Sequence, residues 1–265
     1  MTVSEDGYSG RTIRSVTIAF NIIEVLQERK HVGVTELANE LGHSKSTIYS
    51  HLQTLTERNY LVQEPEGYRL SLRVLDIANR VREQVGNYDV ITKEVDELAE
   101  TTGEIVQFGI EEHGMVSYLY KAAGDQAVET RSRVGIQQPM YSTSLGKTIL
   151  AFMPTDRTAS IVSNADYEAN TPNTITEPAE LHSELDRIES QGYGVDDEEN
   201  IQGLRCVSAP VRHEETVLGA ISITGPSSRF TDDRIHGEFA DHVQRAANVI
   251  ELNTKFSSTG VSEFD

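Results

Sequence analysis

Between residues 13 and 72 the apolar positions fall into three helical stripes and then an alternating pair of short runs. Val16, Ala19, Phe20, Ile23 and Leu26 recur at intervals of three and four, which predicts a helix over 13–29. Ile18, Ile22 and Val25 make a second stripe on the same helix. One small domain rarely needs both: either the second pairs with another copy of the chain, or both are buried in one domain. Leu37, Ala38 and Leu41 predict a short helix that Thr35 can cap and Gly42 can end in the left-handed conformation. Ile48, Leu52 and Leu55 stand at i, i+4 and i+7 of a longer helix, capped by Ser44 or Ser46. Tyr60-Leu61-Val62 and Tyr68-Arg69-Leu70 flank Glu64-Pro65-Glu66-Gly67, which reads as two strands around a turn. Helix, glycine turn, helix and hairpin in that order predict a winged helix-turn-helix over 11–72.

Val74, Ile77, Ala78, Val81 and Val85 mark a linker helix over 73–89. Residues 90–253 read as a second domain. A helix at 90–101 precedes strand candidates at 104–110, 115–122 and 127–134. Helices follow at 144–153, 156–163 and 178–191. Two strong strands, 204–212 and 216–224, come next, and a capped helix at 231–252 closes the domain. Strands in runs, with helices between and after them, predict the α/β (α+β) class: a mainly antiparallel sheet covered by helices. Residues 1–10 read as a disordered arm and 254–265 as a tail.

The first domain carries its chemistry on the second helix of the turn. Opposite its buried stripe stand Ser46, Tyr49, Ser50 and Gln53, side chains that donate, accept or stack against base edges in a major groove. Lys45 and Arg58 are placed for phosphates, and Arg14, Ser44 and Arg69 complete the set expected to touch DNA.

Net charge changes this picture. The chain carries 23 basic and 42 acidic residues, a balance of −19, which is unusual for a nucleic-acid binder. The excess lies outside the first domain: residues 11–72 hold seven of each sign, and 73–265 hold 16 basic against 33 acidic. With six lysines against 17 arginines, such a surface suits a salt-rich cytoplasm, where screening removes self-repulsion. A halophilic source is one reading and an ordinary acidic cytosolic protein the other. In concentrated salt counterion release adds little to DNA affinity, so base and shape contacts would matter more. The single cysteine, Cys206, excludes an intramolecular disulfide framework and fits a reducing cytoplasm. There is no apolar run for a membrane span, and the N-terminus lacks the features of a signal peptide.

Other constellations are weaker. Gly146-Lys147-Thr148 resembles the end of a phosphate-binding loop, but the glycine needed five residues earlier is Tyr141. Ser142 to Gly146 still opens a helix, whose free N–H groups either hold a small anion or are simply capped. Asp196-Asp197-Glu198-Glu199, taken alone, reads as a solvated acidic loop. Cys206, on a strand that looks buried, reads as a core thiol. No metal-ligand spacing is present, and no metal or other cofactor is expected.

Three strings stand out together with Ser144-Leu-Gly-Lys147 and the winged helix: Gly192-Tyr-Gly-Val-Asp-Asp-Glu-Glu, Gly203-Leu-Arg-Cys-Val-Ser-Ala-Pro-Val, and Gly219-Ala-Ile-Ser-Ile-Thr-Gly-Pro226 with Arg229. They resemble the IclR (isocitrate lyase regulator) family of transcription factors over roughly residues 11–252. The resemblance implies a winged helix, a linker helix and a GAF-like effector domain, working as a dimer or dimer of dimers on operator DNA. It implies an effector that is an organic acid, an aromatic acid or a sugar-derived metabolite, and control of a catabolic operon. It places the effector pocket at Ser144, Leu145, Gly146, Asp196, Leu204, Cys206, Ser222 and Thr224. Thr224 stands where some relatives have serine, and Ser144-Leu145 where some have smaller residues. The enzyme alternative, a hydrolase or nucleotide-binding protein with an accessory DNA module, lacks a nucleophile–base pair and a phosphate loop.

Overall fold

Helix α1 (Arg14–Glu28) buries one face, Ile18, Ile22 and Leu26, against α3 (Lys45–Glu57) and the wing. This is the computed structural model of the chain, and it describes residues 12–259. The proposed arm at 1–10 and the end of the proposed tail, 260–265, lie outside the described residues. The chain divides into two units, 1–84 and 85–265.

In the first unit α2 (Val34–Glu40) meets α3 through Gly42, which takes φ +68°. Ser44 caps α3 by accepting from the Thr47 amide at 3.1 Å. Thr35 is not the cap of α2, because the helix begins one residue earlier, after Gly33, with no side-chain cap. The wing is β1 (Leu61–Glu64) paired antiparallel with β2 (Gly67–Leu70). Val32 bridges to β2 by exchanging two backbone bonds with Tyr68.

The two stripes of α1 fall otherwise than their lengths suggest. The shorter stripe is buried, together with Leu26 of the longer one, because Ile18, Ile22 and Leu26 are spaced by four and line up on one side. Val16 and Phe20 are 46% and 59% exposed. α4 (Arg73–Gln84) buries nothing in this unit: Leu75, Ile77 and Val81 are all exposed. Among the described residues two apolar faces are therefore left uncovered.

The second unit is a six-stranded antiparallel sheet in the order β5-β4-β3-β8-β7-β6. The strands are β3 (Ile105–Glu112), β4 (Met115–Ala123), β5 (Gln137–Pro139), β6 (Gly194–Asp197), β7 (Leu204–His213) and β8 (Thr216–Pro226). Alternation sorts their side chains. Val106, Phe108, Val207, Ile221 and Ile223 pack under α5 (Tyr88–Thr102) and the C-terminal helix. Val116, Tyr118 and Ala220 pack on the other face with α6 (Ser144–Phe152), α7 (Thr155–Asn164) and α8 (Pro178–Gln191).

Three expectations are corrected. Residues 127–134 are not a strand. The stretch has only Ala127, Val128 and Val134 to offer a core, and Lys121 holds it as a loop by donating to Thr130 Oγ1, Ser132 Oγ and the Ser132 carbonyl at 2.7–3.0 Å. The acidic string is not a solvated loop, since Gly194–Asp197 is the edge strand β6 beside β7, and Asp196 and Glu199 are buried. The closing helix is present but lacks its expected cap and changes hydrogen-bond register within its first turns. It starts as α9 (Asp232–Arg234), Thr231 makes no side-chain cap, a π-turn at Ile235–Phe239 follows, and α10 runs from Ala240 to Thr259 into the proposed tail. The π-turn sits where Phe239 stacks on Phe230, ring centroids 4.4 Å apart.

Candidate functional site

The outer face of α3 presents Ser46, Tyr49, Ser50 and Gln53, all exposed, opposite the fully buried Ile48 and Leu52. Lys45 is its first residue and Arg58 its C-cap, also exposed. Ser44 Oγ is engaged at the cap, with Ser46 and Thr47 hydroxyls at 2.9 and 2.8 Å. Ser50 Oγ donates to the Ser46 carbonyl at 3.0 Å, a bond its hydroxyl can exchange by rotation. Gln53 lies 3.5 Å from Glu57. Arg14 opens α1 and is exposed. Arg69 differs: its guanidinium meets Glu64 at 2.7 and 2.8 Å, and His31 meets the other Glu64 oxygen at 2.7 Å. Both partners hold the Glu64 carboxyl below its ordinary range, Arg69 most. His31, Glu64 and Glu66 form a trio whose candidate ligand atoms lie within 4.8 Å of one another. No spacing signal reveals it, because His31 comes from the loop before α2.

In the second unit seven of the eight expected effector residues line one cavity: Ser144, Leu145, Asp196, Leu204, Cys206, Ser222 and Thr224. They come from four elements, and register explains the convergence. Asp196 on β6 stands opposite Cys206 on β7, which stands opposite Thr224 on β8. Ser208 and Ser222 form the neighbouring row. Directly opposed residues share a face, so both rows point to the same side of the sheet. The N-terminus of α6 closes that side. Thr143 caps it by accepting from the Gly146 amide at 3.0 Å, and the Ser144 and Leu145 amides have no acceptor among the described residues. Gly146 is the exception and does not line this cavity. It lies so close to Met140 that an added Cβ would stand 2.3 Å from its carbonyl oxygen. Its role is to let α6 approach. Sequence reasoning missed Gln107, Tyr118, Thr130, Ser132, Asn200 and Ile201 in the lining. Gln107 left a readable trace as the lone polar position between Val106 and Phe108.

The electrostatics centre on Asp196. Its Oδ1 accepts from the Glu199 amide at 2.7 Å and the Asn200 amide at 3.3 Å, and Cys206 Sγ lies 3.7 Å from Oδ2. Burial, then the nearby Glu199 carboxylate, pushes its pKa up to about 7 against the pull of Lys147. Burial raises the Cys206 thiol and the Tyr118 hydroxyl as well, with Asp196 adding to both. Beneath the cavity Lys147, fully buried, ion-pairs with Glu199 and lies 3.6 Å from Glu184. Its ammonium is enclosed by carboxylates, which leaves nothing for a nucleotide phosphate.

Residues 15–65 match the IclR helix-turn-helix domain, and residues 84–252 match the C-terminal domain described as "Bacterial transcriptional regulator IclR C-terminal". The chain belongs to the IclR family. It is similar to the HTH-type transcriptional regulator KdgR of Escherichia coli, 33% identical over 242 residues that cover 90% of this chain and 92% of the relative. It is 31% identical to the probable HTH-type transcriptional regulator ArcR of Halobacterium salinarum, over 91% of this chain and 94% of that one. The crystal structure of Thermotoga maritima IclR superposes with a TM-score of 0.78 at 28% identity, over 92% of this chain and 99% of that chain. This IclR-family protein is a DNA-binding transcriptional regulator and not an enzyme. Its partners are double-stranded operator DNA, a small-molecule effector and further copies of itself. Among the described residues no helix is long and apolar enough to cross a membrane.

Proposed function

We propose that this IclR-family regulator works in the cytoplasm, reads its operator with the outer face of α3, and senses a small oxygen-rich acid in the cavity above β6, β7 and β8. The observation that carries the reading is the convergence of that cavity. Free amides at the start of α6, the hydroxyls of Ser222 and Thr224, and the carboxyl of Asp196 face one space lined also by Leu145, Leu204 and Ile201. Amides and hydroxyls suit a carboxylate, and Asp196 suits a ligand hydroxyl. A catabolic operon fits an effector of this kind. The zero charge balance of residues 11–72 against the acidity of the rest fits a salt-rich cytoplasm. On α3, Lys45 and Arg58 contact phosphates, and Ser46, Tyr49, Ser50 and Gln53 read base edges. Arg14 and Ser44 support the docking. Arg69, held by Glu64, braces the wing. The uncovered faces of α1 and α4 serve assembly. An effector moves the paired winged helices only to the extent that it binds their two arrangements with different affinity.

Two measurements test this. Ser222→Ala removes a hydroxyl from the cavity and is expected to cost about 1–3 kcal/mol of effector affinity. Calorimetric titration reads it, with operator affinity unchanged; equal affinity in mutant and wild type places the effector elsewhere. Ser50→Ala or Gln53→Ala is expected to weaken operator binding by about 1–3 kcal/mol and to leave non-specific DNA binding nearly unchanged. Equal losses on both DNAs would assign base reading to another face.

A further inference from the structure

β3 runs through the middle of the sheet with β4 on one side and β8 on the other. Opposite Gln107 stand Lys121 on β4 and Ser222 on β8, and opposite Ser222 stands Ser208 on β7. These four side chains form one row on the cavity side. Two members are fully engaged. Ser208 meets the Thr148 hydroxyl at 2.7 Å, and Lys121 donates to three oxygens of Thr130 and Ser132. Gln107 is different. It is 4% exposed, lines the cavity, and its side-chain nitrogen has no hydrogen-bond partner. Buried N–H groups are nearly always paired, and an unpaired one in a residue that lines a cavity calls for an acceptor from outside the chain. The three oxygens around Lys121 are all neutral, and no carboxylate pairs with it among the described residues, so its positive charge favours an electron-rich oxygen beside it.

We infer that Gln107 is a specificity-determining contact for the effector, donating through its carboxamide to a carboxylate or carbonyl oxygen of the ligand. The inference rests on the cavity being the effector site. Gln107 lies outside the strings that carry the family resemblance, so it can set which acid this regulator takes while the shared residues hold what acids have in common. A ligand with no oxygen at that position leaves the amide unpaired and is rejected for that reason.

The test starts with thermal-shift titration of the full chain against pyruvate, succinate, D-gluconate and 4-hydroxybenzoate, four acids that carry oxygen in different places. The acid giving the largest shift is then titrated calorimetrically into wild type, Gln107→Met, Gln107→Glu and Ser222→Ala. Gln107→Met keeps the length of the side chain and removes the unpaired amide. It is expected to raise the melting temperature of the unliganded protein while weakening the acid about tenfold. A merely structural glutamine would lower both. Gln107→Glu places a negative charge against the acid and is expected to weaken it at least as much. If both Gln107 variants bind as wild type while Ser222→Ala weakens, the cavity is the effector site and the inference about Gln107 fails. If none of the three weakens binding, the cavity itself is misassigned. If wild type binds none of the four acids, the ligand chemistry inferred for Gln107 is overturned.

Discussion

Lys147→Met is expected to destabilise the effector unit by about 3–5 kcal/mol, because it removes one partner of a buried ion pair and leaves the other charged. Lys147 is fully buried on α6, ion-paired with Glu199 and 3.6 Å from Glu184. Glu184 also holds Arg187 at 2.8 Å and is half shielded from the loss. Glu199 is not. It is 6% exposed, one of its oxygens already lacks a partner, and its remaining bond is a long one from the Asp197 amide at 3.3 Å. Burial already raises the Glu199 carboxyl, and Lys147 is the main force pulling it back down. Methionine fills the volume and leaves that carboxylate without a counter-charge in a dry site. The expected remedy follows from the same cause. Glu199→Gln in the Lys147→Met background removes the stranded charge and should restore most of the loss. Calorimetric unfolding of wild type, single and double variants at equal salt checks this. A single variant within about 1 kcal/mol of wild type would mean that water reaches Glu199 in the folded protein.

What the sequence discloses and what it hides follow physical lines. α3, the wing and the β7–β8 hairpin are legible because each pairs a regular apolar period with a turn residue suited to its place: Gly42 before α3, Glu64 to Gly67 between the wing strands, and a polar turn after His213. The loop over 127–134 is not legible because it is held by the side chain of Lys121 on β4, a contact that hydrophobic period does not register. Periodicity alone does not find the buried face of α1 because Leu26 fits both stripes, and only packing against α3 decides between them. The cavity depends on register. Asp196, Cys206 and Thr224 converge because β6 adds to the edge of β7, and four consecutive acids give no local reason to expect a strand. The family resemblance supplies those residues, and the structure adds Gln107 and the buried pairing of Lys147 with Glu199 beside them. All three are buried polar residues, a class whose burial composition predicts poorly and function gives a reason for.

Asp196→Asn is expected to flatten the pH dependence of stability and to make the protein more stable than wild type at about pH 8. The Asp196 carboxyl has an ordinary pKa of 3.8 in an unfolded chain and about 7 in the folded protein, where burial and Glu199 oppose its charge. A raised pKa means that the folded state holds the proton more tightly than the unfolded state. The contribution is therefore fully present below about pH 4, falls as pH rises, and is lost once pH passes about 7. At about 1.4 kcal/mol per unit the loss is a few kcal/mol. Asparagine keeps an oxygen for the Glu199 and Asn200 amides, which Asp196 Oδ1 now accepts. It never carries the charge, so it never meets that loss. Its amide nitrogen falls near Cys206 Sγ, a weak acceptor 3.7 Å from the oxygen it replaces. Unfolding of both proteins from about pH 5 to about pH 8 at constant salt gives the comparison. Their stabilities should diverge steadily with rising pH, the asparagine variant ending above wild type. Curves that stay parallel across that range would show that Asp196 is ionised throughout in the folded protein, and that Lys147 outweighs burial at this site.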